Sequence, residues 1–79
     1  TMTDSGLVEL DAIGLDCPMP LLKAKRALNA MTVGQQLRVR ATDKGSVRDF
    51  RVFAEQSGHL LLSSVEIDGV YTHVLQKVD

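Results

Sequence analysis

A chain of 79 residues with 44% apolar and 24% charged side chains and a formal net charge of −1 has the balance of one small soluble globular domain. No apolar stretch approaches the length of a membrane span, so no membrane partner is expected. One cysteine excludes an internal disulfide and any dithiol cycle within one chain, and the two histidines lack neighbouring ligands at metal spacing, so neither a metal nor a cofactor is expected.

Thr1 before Met2 reads as a cloning remnant, and residues 1–6 are expected to form a disordered tail ahead of a single domain over 7–79. No basic segment followed by an apolar one opens the chain, so a reducing cytoplasm is the expected setting. At this size folding removes only about 60% of the surface the unfolded chain exposes. Single core residues should therefore matter.

Residues 7–13 alternate, with Val8, Leu10 and Ala12 opposed to Glu9 and Asp11, which predicts a half-buried strand. Gly14-Leu15-Asp16-Cys17-Pro18-Met19-Pro20 follows, just ahead of an amphipathic run. Residues 18–31 place Leu21, Ala24, Ala27, Leu28 and Met31 on one helical stripe, with Lys23, Lys25, Arg26 and Asn29 largely off it. Pro18 suits the first helical position and Pro20 the first turn, because a missing N–H is harmless there.

The free donors of that turn are then expected mainly from Met19 and Leu21. Together with the positive end of the helix dipole they favour an anion at the Cys17 sulfur. On this reading Cys17 is a reactive, partly exposed thiol with a pKa below about 8.5. Asp16 is the rival cap residue. The alternative is a buried cysteine packing as a small hydrophobe; a cap position argues against it, since caps are normally exposed and are filled by Ser, Thr, Asp or Asn when purely structural.

Gly34 marks the exit from this helix. Residues 36–42 alternate again, Leu37, Val39 and Ala41 against Arg38 and Arg40. Asp43-Lys44-Gly45-Ser46 leads into a second helix, where Ser46 and Asp49 resemble a capping box. Val47, Phe50, Phe53 and Ala54 form its apolar face, and Gly58 stops it. Residues 59–67 and 70–78 are predicted strands joined by Asp68-Gly69, a strong hairpin signal. Their faces are ambiguous, because Leu60, Leu61 and Leu62 are consecutive.

The order is β-α-β-α-β-β, a two-layer α/β (α+β) sandwich with both helices on one face of a four-stranded sheet. If the first two strands are neighbours, Glu9 and Asp11 meet Arg38 and Arg40 on the open face. Charge is unevenly spread, with eight basic and two acidic residues between 17 and 51. That excess could lower the thiol pKa and steer an acidic partner or a nucleic acid; the plainer reading is a solvated helix face. Three aromatics, two of them core candidates, give no stacking platform for nucleic acid.

The Cys-Pro-Met-Pro string between strand and basic helix resembles the CPxP signature of the TusA/SirA-like sulfur carriers. The likeness runs through Ala41-Thr42-Asp43, Gly45-Ser46, Asp49-Phe50, Ser57-Gly58-His59 and Asp68-Gly69, over residues 7–78. It implies a mixed sheet in order 1-2-4-3 with the last strand antiparallel to the rest. It also implies that Cys17 accepts sulfane sulfur from a pyridoxal-phosphate cysteine desulfurase as a persulfide and passes it to a downstream acceptor protein.

The same resemblance makes Pro18, Pro20 and Asp16 positioning residues and matches Asp43 to a family motif position. Partner docking is expected at Lys23, Lys25, Arg26 and Asp43, with transient contact to tRNA-modifying machinery. Lys44 and Arg51 stand where many relatives carry proline. Two further readings use the same residues: a regulatory or RNA-binding module with a structural cysteine, and a thiol redox sensor cycling through sulfenic acid.

Overall fold

In the computed structural model, which describes residues 7–78, the elements alternate as the hydrophobic pattern requires. They are β1 (Leu7–Ala12), α1 (Met19–Ala30), β2 (Gln36–Ala41), α2 (Ser46–Ser57), β3 (Leu60–Ile67) and β4 (Val70–Gln76). The expected tail over residues 1–6 lies outside the described residues. The sheet order is β1-β2-β4-β3, with β1 parallel to β2 and β4 antiparallel to both β2 and β3. This is the mixed sheet in order 1-2-4-3 that the family likeness implied.

The inward row of β2, Leu37, Val39 and Ala41, is fully buried and shares one core with Ala12, Ala24, Leu28, Phe50 and Leu75. Register sets this face. Leu37 stands opposite Leu75, Val39 opposite His73 and Ala41 opposite Tyr71, so β4 turns the same parity inward. On the other side Glu9 meets Arg38 and Asp11 meets Arg40 in register. Only the first couple forms an ion pair, at 2.6 Å and half exposed, which at such exposure contributes a fraction of a kcal/mol. Asp11 instead accepts from the Ile13 N–H at 3.0 Å.

Several local expectations are corrected. Helix α1 begins at Met19, with Pro18 as the non-helical N-cap and Pro20 buried in the first turn, so Pro18 is not the first helical residue. Ser46 and Asp49 form no capping box: Gly45 is the N-cap, and no side chain caps α2. Val47 is exposed rather than on the buried face. Ser46 Oγ instead meets His73 Nε2 at 3.0 Å, while Ser64 Oγ meets His73 Nδ1 at 2.8 Å.

Strand β3 resolves its ambiguous leucines through a register shift between Leu61 and Ser63. Leu61 then faces inward opposite Leu75, while Leu60 and Leu62 stay exposed. Asp68 and Gly69 both have positive φ, 51° and 81°, as a type I′ hairpin requires. Gly58, at φ 86°, closes α2 by donating its N–H to the Ala54 carbonyl at 3.1 Å.

His73 is completely buried, bonded by both hydroxyls and stacked on Phe50 with ring centroids 4.6 Å apart. A neutral imidazole has one donor and one acceptor, which two hydroxyls can satisfy. Burial lowers its pKa below the ordinary histidine value of 6.5. The unfolded chain therefore binds a proton below pH 6.5 that the folded chain refuses, so this contribution to stability is full above 6.5 and is lost as pH falls below it. The slope is at most about 1.4 kcal/mol per pH unit. Urea midpoints at pH 7.5 and 5.5 should diverge more for the natural chain than for His73→Gln, and equal shifts would count against this account. By the same method Leu37→Ala should cost about 2–5 kcal/mol, as filled core positions do, and Arg38→Ala less than about 1 kcal/mol.

Candidate functional site

Parallel strands β1 and β2 are neighbours, so the loops leaving their C-terminal ends emerge side by side. The first carries Cys17 into α1; the second carries Asp43 and Gly45 into α2. Gly14 donates its N–H to Thr42 Oγ1 at 2.9 Å and so ties the two loops together. Cys17 is exposed. Asp16, Pro18 and Met19 are exposed beside it, and Pro20 is buried beneath. The first loop thus presents the thiol to solvent and roots it in the core.

The thiol is not held by the helix N-terminus. The Met19 N–H, expected as a free donor, bonds the Asp16 carbonyl at 2.8 Å. Asp16 therefore acts on the loop through its backbone, and its side chain caps nothing. Cys17 precedes the N-cap and turns toward the other helix, where Sγ donates to Asp49 Oδ2 at 2.7 Å.

Asp43 stands on the same side. Its Oδ2 is buried with no hydrogen-bond partner among the described residues. A side chain at Gly45 would place Cβ 2.9 Å from that oxygen and 3.8 Å from Cys17 Sγ, so the glycine is what lets the Asp43 carboxylate and the thiol share this space. From sequence Gly45 and Asp49 read as loop and cap; their approach to a residue about thirty positions away leaves no trace in local pattern.

These carboxylates reverse the expected electrostatics. The hydrogen bond to Asp49 favours the protonated thiol, and burial and the negative charges of Asp49 and Asp43 act in the same direction, pushing the Cys17 pKa up to about 11. The expectation of a value below about 8.5 is overturned, because the charged groups that act on the sulfur are the acids Asp49 and Asp43.

The basic residues of α1 go elsewhere. Lys23 and Arg26 are exposed. Lys25 lies 5.5 Å from the centroid of the Phe53 ring, within cation–π distance. Between α1 and α2 runs a groove of about 270 Å³, lined by Leu21 and Lys25 on one side and Arg48, Asp49, Val52 and Phe53 on the other. Asp49 belongs to both the groove and the thiol site. No group of three or more histidine, cysteine or acidic side chains is placed to hold a metal among the described residues. None of their helices is long and apolar enough to cross a membrane.

A strand-loop-helix cysteine set against the next strand-loop-helix in a two-layer β-α-β-α-β-β fold defines a class of small single-thiol domains. The family described as Sulfurtransferase TusA matches residues 8–77, and the chain belongs to it. It is 54% identical over 69 residues to the sulfur carrier protein TusA of Allochromatium vinosum, covering 87% of this chain and 91% of that one. A putative sulfur carrier protein of Neisseria meningitidis serogroup A is 52% identical over 67 residues, covering 85% and 90%. The crystal structure of a SirA-like protein from Desulfitobacterium hafniense superposes with a TM-score of 0.80 at 27% identity, over 91% of this chain and 99% of that one.

A thiol with a pKa near 11 is almost wholly protonated at neutral pH. Alkylation of Cys17 by iodoacetamide, followed by intact mass, should therefore keep accelerating from pH 7 to pH 10, roughly tenfold per unit at the lower end. A plateau beginning below pH 9 would contradict the raised value.

Proposed function

We propose that this chain is a sulfur carrier whose Cys17 accepts sulfane sulfur from a cysteine desulfurase as a persulfide and relays it to a downstream acceptor protein. The observation that carries this is the exposed lone thiol of a Cys-Pro-Met-Pro turn, held at the joined C-terminal ends of β1 and β2. The sulfur-carrier names of the relatives support it. With no second cysteine in the chain, no internal thiol can discharge the persulfide. The cycle is a covalent relay between proteins rather than turnover of a small substrate.

Asp43, Lys23, Lys25 and Arg26 are docking residues on this reading, with Pro18, Pro20 and Asp16 shaping the turn. Acceptors in tRNA thiolation, molybdenum cofactor biosynthesis or general sulfur trafficking all fit, as does a cytoplasmic setting. The RNA-binding reading gains no support: Phe50 is buried and Phe53 lies in the helix groove, so neither offers a free stacking face.

The test is incubation with a cysteine desulfurase and cysteine, followed by intact mass with and without reductant. The expected result is a gain of one sulfur that reductant reverses and Cys17→Ser abolishes. No gain with several active desulfurases would sink the proposal.

A further inference from the structure

We propose that Asp49 is a catalytic residue of this relay, taking the Cys17 proton as the thiol attacks and returning a proton to Sγ as the sulfur departs. The inference rests on Cys17 being the sulfur-accepting residue. Its footing is geometric. Asp49 Oδ2 is 2.7 Å from Sγ, so the two groups already share the proton that must move. The carboxylate is free for this role because it neither caps α2 nor forms an ion pair among the described residues. It also lines the groove between the helices, so one carboxyl reaches the thiol and the surface a partner would approach.

The chemistry closes without an added oxidant or reductant. In loading, Sγ attacks the terminal sulfur of a donor persulfide. The Sγ–S bond forms, the donor's S–S bond breaks, the donor thiolate leaves with the electron pair, and the Cys17 proton passes to Asp49. In discharge, an acceptor thiolate attacks the terminal sulfur of the Cys17 persulfide. The Sγ–S bond then breaks, its electron pair stays on Sγ, and Asp49 returns to Sγ the proton it took in loading. The sulfane sulfur keeps its oxidation state in both steps.

The demand for that proton is strongest in discharge. A sulfur beside two carboxylates is a poor leaving group as a bare thiolate, and a positioned acid removes that penalty. The groups facing this exchange are Asp49 itself, Asp43 from the β2–α2 loop, and Lys25 and Arg48 along the groove. Asp43 is the nearest other acid, but it makes no hydrogen bond to Sγ. Asp49 is the group in line.

Asp49→Asn keeps the shape and removes the proton chemistry, which gives two readouts of opposite sign. With a charge and an acceptor lost, the thiol ionises more readily. Alkylation by iodoacetamide at pH 7.5 should rise about tenfold, the gain in thiolate being partly offset by its lower nucleophilicity. Single-turnover discharge from the loaded protein to dithiothreitol should fall by about 100-fold. Asp49→Glu should restore part of the discharge rate.

A purely structural Asp49 would move alkylation and discharge together in both variants, and that result would overturn the proposal. So would discharge from Asp49→Asn at the natural rate. If Asp49→Asn fails to fold by circular dichroism, Asp49→Glu decides: discharge should fall while alkylation at pH 7.5 does not, and changes of the same sign and size in both would overturn the proposal. Failure of the natural chain to take up sulfur at all would instead overturn the carrier reading.

Discussion

The parallel pairing of β1 with β2 is the constraint on which the site depends. Parallel strands cannot be joined by a tight turn, so the chain between them must cross over through a helix. That crossover brings the C-terminal ends of both strands, and the loops leaving them, to the same edge of the sheet. Cys17 and Asp43 are thereby neighbours, although 26 positions separate them. The bond from Gly14 to Thr42 fixes the spacing between the loops. Without this pairing the lone thiol would be an ordinary exposed cysteine before a helix.

The second helix is anchored from below as well. Ser46, its first residue, bonds the buried His73 of β4, and His73 stacks on Phe50 one turn further along. The same helix holds Asp49 between Ser46 and Phe50, near its N-terminal end. Core packing on β4 thus sets where a carboxylate stands above the thiol. A polar group spent on anchoring and an acid spared from capping are two sides of one arrangement, and both replace a local cap that the sequence would have allowed.

The thiol is exposed yet held protonated, a combination that leaves it accessible while limiting its reaction with whatever diffuses past. Accessibility and ionisation are separable properties: the turn at Cys17-Pro18 sets the first, and Asp49 and Asp43 set the second. The excess of basic residues between 17 and 51 does not dominate the sulfur, because Coulomb attraction falls with distance and is screened at exposed lysines and arginines. Of these cations Lys25 and Arg48 line the helix groove, Arg38 pairs with Glu9 across the sheet, and Lys23 and Arg26 are exposed.

The element order, the hairpin at Asp68-Gly69, the helix stop at Gly58, the buried row of β2 and the singling out of Cys17 as the one candidate thiol are all legible in the amino-acid sequence alone. These are legible because they rest on local periodicity, on glycine's access to positive φ and on a motif contained within seven residues. The start of α1 at Met19, the use of Ser46 and Asp49, and the raised Cys17 pKa depend instead on long-range packing. The largest cause of the last is one hydrogen bond between residues 32 positions apart. A charge 2.7 Å away outweighs a helix dipole end whose first amide is already bonded, and that distance exists only once the two helices have packed on the sheet.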